Sequence, residues 1–400
     1  MSDRSFNAPP SRRFVLAASA TLIALYVALF IGGALSTRNG VMPTGDPAGQ
    51  DFSNFYAAST FVRQGRSADV YPLASFNALL AQQHPGATAT YVWHYTPVTS
   101  LAIAPLAYMP YGLAMMVWTL GGVALFCFAA YRLFPHRLTL LVALASPALF
   151  WDVWHHQLGS ISAALLALGF YEASSRPLRS GAMIGAMILK PHLAIAGPFV
   201  LAAGRRWRAF AAAAATVLGL CALSVMILGP EPWRAFLETA GEARPQLEGA
   251  GQLKSLMPSI FVALQLLGAP LPVCWAAQGV TAVCAIALSS AVWWRSSSPS
   301  LRTAAALAAC ALISPYTFAY DTTITTLAIA AVAAANRSAA FHHPPYGWLT
   351  LAWFAPLPAS GLAFVYGLQL GWLAPMTVLA LVSAEVLPRR APILVGASAT

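Results

Sequence analysis

Acids are scarce in this chain, with 12 Asp and Glu among 400 residues. Each one is therefore informative, Asp51 most of all. It stands in the stretch GQDFSNFYAASTFVRQGRSADVY, residues 49–71, just after the first long apolar run. Phe52, Phe55, Tyr56, Ala57 and Ala58 follow it and suit a short helix lying on a bilayer surface. A carboxylate held there can act as a general base toward an incoming hydroxyl. It can equally serve as the N-cap of that helix. Both readings stand on the sequence.

The other groups with chemical capacity are scattered: His94 and Tyr95, the turn His155-His156-Gln157, Lys190, Lys254, and Tyr320-Asp321. Lys190 is the odd one, in the middle of the apolar segment 180–203 and followed by Pro191. Pro191 has no backbone donor and disfavours helix at the residue before it, so the segment reads as two half-helices. A lysine at membrane depth is costly and marks function by default; the competing reading is a side chain that snorkels to one surface. His155 and His156 are adjacent and point to different faces, which argues against joint metal ligation. There is no DxD pair. Neither a metal nor a cofactor is expected.

These residues are set in an overwhelmingly apolar chain. Hydrophobic residues make up 58% and charged residues 8%, where a soluble domain carries about a quarter charged. Several uncharged runs reach membrane-spanning length, and they are continuous rather than alternating, so the chain reads as a polytopic all-α membrane protein and not a β-barrel. The net charge of +10 comes mostly from Lys and Arg in short connections between apolar spans. It sets topology, and nucleic acid is excluded as a partner. Five cysteines without a CxxC pair argue against a disulfide framework or a zinc site.

About ten spans are expected, with broken or re-entrant helices and a juxtamembrane helix on the outer face. Arg4, Arg12 and Arg13 precede the first span, 14–35, and hold the N-terminus in the cytoplasm. Ser11-Arg12-Arg13 faintly resembles an export signal but reads as the flank of an uncleaved span. The segment 98–106 is too short to cross. The expected division is a cytoplasmic tail 1–13, one integral membrane domain 14–387, and a cytoplasmic tail 388–400. Charge bias places Asp51, His94, His155-His156-Gln157, Lys254 and Tyr320-Asp321 together on the outer side. One outward-facing site in the plasma (inner) membrane is the resulting expectation. Topology sets Lys190 nearer the cytoplasmic half.

In order and spacing these residues resemble the family 87 glycosyltransferases, membrane enzymes of the GT-C type. The resemblance covers about residues 49–330. It rests on Asp51-Phe52, Gly65, Tyr71, Tyr95-Thr96-Pro97, Pro105-Leu106, Pro110, Gln157 and Gly159. It continues in Lys190-Pro191-His192-Leu193, Gly204-Arg205-Arg206-Trp207-Arg208, Met257-Pro258-Ser259-Ile260-Phe261, Ser314-Pro315-Tyr316 and Tyr320-Asp321. The resemblance implies inverting transfer of a hexose, typically mannose, from a polyprenyl-phosphate donor to a glycolipid or envelope glycan at the outer face. It implies Asp51 as general base. Lys190, Lys254, His155 and His156 are then the candidates for donor phosphate, and His94, Tyr95, Gln157, Tyr320 and Asp321 for sugar and acceptor. Two motifs depart from the family pattern. Phe318 and Tyr320-Asp321 follow Ser314-Pro315 where Trp and His-His are usual, and His156-Gln157-Leu158 replaces Gly-Gln-Asn. These bear on the sugar and acceptor more than on reaction class. A transporter of lipid or small solute is the alternative, since membrane-buried Lys and outer carboxylates serve transport as well.

Overall fold

The structure is a computed structural model that describes residues 8–241, 243–249, 251–342 and 344–387. The expected tail 388–400 and the flanking Arg4 lie outside these residues. Among the described residues the elements are helices, α and 3-10, with no strand beyond two isolated bridges at Arg38–Val41 and Val41–Pro47. The chain is a helical membrane protein.

Among the described residues four helices are long and apolar enough to cross a bilayer: Arg12–Ser36, Tyr111–Leu133, Trp207–Leu228 and Leu271–Arg295. A fifth crossing arises if Tyr346–Phe354 and Pro356–Tyr366, bent by 57° at their junction, count as one span. The remaining apolar helices expected to span, among them Gly159–Glu172, Pro299–Ile313 and Leu373–Val386, have 10–17 residues. At 1.5 Å per residue a 15-residue helix rises about 22 Å, short of a hydrocarbon core of about 30 Å.

The two kinds of helix bury themselves differently. In Trp207–Leu228 only Ala209 and Ser224 are buried, and its Leu218 and Met226 face outward. In Pro299–Ile313 every residue from Ser300 to Ile313 is buried. Its alanines, from Ala304 to Ala306 and again Ala308, Ala309 and Ala311, let neighbouring backbones come close. Around it pack Gly159–Glu172, Leu271–Arg295, Thr323–Arg337 and Leu373–Val386. This alanine-rich helix is the axis of the core.

Helix starts follow sequence chemistry. Proline opens Pro97–Ile103, Pro147–His155, Pro177–Gly185 and Pro299–Ile313 at the first turn, where its missing N–H costs nothing. The expected break at Lys190 is present: short 3-10 turns, Ala186–Leu189 and Pro191–Leu193, replace α-helix on either side. A helix interrupted this way leaves carbonyls without intrahelical partners. Thr96 and Thr99 supply them, their hydroxyls donating to the carbonyls of Ile188 and Leu189 at 2.9 Å each.

Candidate active site

Asp51 precedes the helix Phe52–Arg63, whose Phe52, Phe55 and Phe61 are buried among Trp93, Phe76 and Tyr71. The approach to it is tightly built. Tyr111 donates its hydroxyl to the Ala48 carbonyl at 2.6 Å. Gly49 has φ +90°, and a Cβ there would meet Met115 Sδ at 2.6 Å and the Tyr111 hydroxyl at 2.9 Å, so a side chain at this position is strained.

The Asp51 side chain makes no capping hydrogen bond to its helix. Its Oδ2 instead accepts from Gln157 Nε2 at 2.9 Å. Gln157 Oε1 in turn accepts from the Tyr95 hydroxyl at 2.9 Å and from the Leu158 amide at 3.0 Å. The N-cap reading of Asp51 is thereby set aside. Burial pushes the Asp51 carboxyl above the usual carboxylate range. His155, the Gln157 hydrogen bond and Lys190 pull it back, while Asp46 adds to the rise.

A second centre lies beside it. Lys190 Nζ donates to Asp321 Oδ1 at 2.6 Å and sits 4.6 Å from the centre of the Tyr320 ring. The Phe318 amide donates to Asp321 Oδ2 at 3.0 Å. Lys190 is 4% exposed and Asp321 0%. The broken segment thus carries Lys190 to the turn after Pro299–Ile313. Buried this deeply, the ammonium is compensated by the Asp321 carboxylate. The two centres share a field, since Lys190 acts on Asp51 and both Asp51 and Asp321 act on Tyr95.

His155 faces Tyr320 at 5.8 Å between ring centres, and its Nδ1 lies 2.9 Å from the Trp151 carbonyl. His156 goes elsewhere. It ends its helix in a left-handed conformation, φ +51°, with Nδ1 against the Thr119 hydroxyl at 2.8 Å. Burial, with His155 alongside, pushes its imidazole down to about 4. A neutral ring turned away is no cation for a phosphate. Lys254 lies in a turn that packs on Pro356–Tyr366, and its charge acts on Cys274. Arg63 donates to the Ala107 carbonyl and Arg66 pairs with Asp69. His94 is exposed, on the side of His192 and Lys190.

Asp152 has a place that the sequence did not single out. Its Oδ1 accepts from the Gly159 amide at 2.7 Å and its Oδ2 from the Ser160 amide at 3.0 Å, capping Gly159–Glu172 across the turn. That turn is the one that presents Gln157. A Cβ at Gly159 would collide with the Tyr320 carbonyl, and Thr323 donates to the Gly159 carbonyl at 2.9 Å. The turn that Asp152 caps is thus tied to the Tyr320-Asp321 turn through Gly159 and Thr323. The signal was an acid seven residues before a Gly-Ser helix start, across a three-residue turn.

The family model for Glycosyltransferase family 87 matches residues 93–315. That interval contains His94, Tyr95, Gln157 and Lys190; Asp51 and Asp321 flank it. Over 183 residues the chain is 28% identical to the polyprenol-phosphate-mannose-dependent alpha-(1-2)-phosphatidylinositol pentamannoside mannosyltransferase of Mycolicibacterium smegmatis (strain ATCC 700084 / mc(2)155). The match covers 43% of this chain and 43% of that relative, so it spans less than half the relative's length. No solved structure matches the chain.

Proposed function

We propose, from the premise that this chain belongs to glycosyltransferase family 87, that it moves a hexose from a polyprenyl-phosphate donor onto a glycolipid or envelope glycan. Mannose is the favoured sugar, because the curated mycobacterial relative is named for a polyprenol-phosphate-mannose donor and a phosphatidylinositol mannoside. The site faces the exterior of the plasma membrane, by the charge bias of the connections. The shorter helices complete a path of about ten crossings in the GT-C manner, with the donor's lipid tail reaching the site from the bilayer.

The observation that carries the reading is the state of Asp51. Its carboxylate is free of helix-capping and is held by a neutral amide, Gln157. A base must be oriented without being neutralised, and an amide N–H does that. In the reaction Asp51 takes the proton of the acceptor hydroxyl as its oxygen bonds to the anomeric carbon. The bond from that carbon to the phosphate oxygen breaks, and its electron pair leaves with the polyprenyl phosphate. One base and no second carboxylate poised as nucleophile favour direct displacement with inversion. Lys190 has two ammonium hydrogens beyond the one given to Asp321 and offers the positive field that a phosphate leaving group requires, with the His155 ring nearby against Tyr320. Tyr95, His94 and Tyr320 line the space for sugar and acceptor.

The test is transfer by the purified protein in liposomes, with labelled polyprenyl-phosphate-mannose and a membrane glycolipid extract. Labelled glycolipid from the wild type and none from Asp51→Asn is expected. Equal turnover by Asp51→Asn would remove the base from this scheme. Movement of donor across the membrane without any covalent product would favour the transport reading.

A further inference from the structure

The end of the core helix opposite Asp321 carries charge of another kind. Arg302 lies in the first turn of Pro299–Ile313, about 17 Å of helix rise from the Ile313 end that leads to the Asp321 turn. It is 8% exposed. Its guanidinium lies 5.6 Å from the Trp293 ring centre, and the positive charge of Arg206 acts on it. Nε and Nη1 of Arg302, and Nε of Arg206, are buried without a hydrogen-bond partner among the described residues. No carboxylate pairs with Arg205, Arg206, Arg208, Arg295 or Arg302 among the described residues.

The place is assembled deliberately by the fold. Gly204 lies so close under Trp293 that a Cβ would come 2.7 Å from its ring. Arg205 then takes a left-handed conformation, φ +54°, and lays its guanidinium 4.7 Å from the centre of the Trp294 ring. The helices Trp207–Leu228 and Pro299–Ile313 both begin here, and their N-terminal ends add positive field. Buried guanidinium donors that face one another without an acceptor are unfavourable unless an anion joins them.

We propose that Arg206 and Arg302 bind the phosphate of an anionic phospholipid headgroup at this membrane boundary. The chemistry is phosphate recognition by guanidinium groups. The lipid, rather than a free phosphate, follows from the surroundings. Trp207 is 59% exposed and Trp294 61% exposed, an arrangement of indoles at bilayer–water boundaries. From Trp207 onward its helix offers an almost unburied apolar face along which acyl chains lie. The site is separate from the glycosyl transfer centre and does not depend on the reaction assigned to it.

The experiment uses the whole protein in detergent with three probes: phosphatidylglycerol, phosphatidylcholine and inorganic phosphate. Native mass spectrometry counts retained lipid, and the thermal midpoint is followed in parallel. Wild type is expected to retain phosphatidylglycerol in preference to phosphatidylcholine, with a higher midpoint. Arg206→Gln, at a partly buried position, is expected to weaken retention roughly tenfold while the thermal midpoint measured without lipid stays that of the wild type. Arg302→Gln is expected to abolish it, while Arg302→Lys keeps part. Equal retention of the two lipids by wild type, or unchanged retention by Arg206→Gln, overturns the proposal. So does inorganic phosphate reproducing the whole midpoint rise, because the ligand is then a free anion.

Discussion

The two ends of the buried helix Pro299–Ile313 treat charge in opposite ways. At one end Lys190 meets Asp321 at 2.6 Å, and Asp51 meets Gln157 at 2.9 Å. At the other, Arg302 and Arg206 keep buried donors without acceptors. The first end is complete in itself and the second is complete only with a ligand. Within the first end a finer contrast holds. Asp321 is fully buried and bound to a cation, whereas Asp51 is partly exposed and bound to a neutral amide. In the proposed function, ion pairing fixes one carboxylate as a structural counter-ion, and an amide partner leaves the other able to accept a proton.

Replacing the two carboxylates in parallel tests that contrast most severely. Asp51→Asn is expected to lower transfer by about 10²–10⁴-fold with the thermal midpoint unchanged. Asp321→Asn is expected to destabilise the fold by about 3–5 kcal/mol, because Lys190 is left buried without its counter-ion. The double variant Asp321→Asn with Lys190→Met should recover much of that loss in a thermal melt, without recovering transfer. If Asp321→Asn instead stops transfer in a fully stable protein, the division of roles between the carboxylates is wrong.

The link between the centres is the next place to press. Gly159→Ala puts a methyl group against the Tyr320 carbonyl and Asp152 Oδ1. A cost of about 1–3 kcal/mol is expected from such overpacking, with a fall in turnover as the Gln157 and Asp321 turns separate. Thermal melts and initial rates on the same preparation would read both, and an unperturbed enzyme would show that the turns are independent. Gln157→Leu removes a hydrogen bond that favours ionised Asp51. The acid limb of the rate profile, already above the ordinary carboxylate range, should move further upward in pH, and a downward movement would contradict the orientation of that bond. The smallest effect belongs to Tyr95→Phe. Loss of its bond to Gln157 should cost about 0.5–1.5 kcal/mol, seen as a modest rate decrease at unchanged pH dependence.

Much of this was legible early. The membrane class follows from uninterrupted apolar runs, and the break at Lys190 from Pro191. Asp51, Tyr95, Gln157, Lys190 and Asp321 were all singled out, because polar groups are so few that each one stands out. His156 and Lys254 were carried along by the same argument, and only the folded structure shows what each one meets. A left-handed turn points His156 at Thr119, and the turn of Lys254 sits on Pro356–Tyr366. Asp152 and Thr96 were passed over as site elements since they act on backbone groups across a turn or between segments, and nothing local marks such a role.

Hydrophobicity is a sum over neighbouring residues, so the sequence alone determined that the chain lies in a membrane, where it breaks and which residues are costly to bury. Which of those costly residues meet depends on how the helices close. Asp51 and Gln157 are 106 positions apart, Lys190 and Asp321 131. Pairings at that range leave no periodicity behind them. Only the packing around the alanine-rich helix decided that one carboxylate is sealed by a lysine and the other left with an amide, and that two arginines come together at the far end.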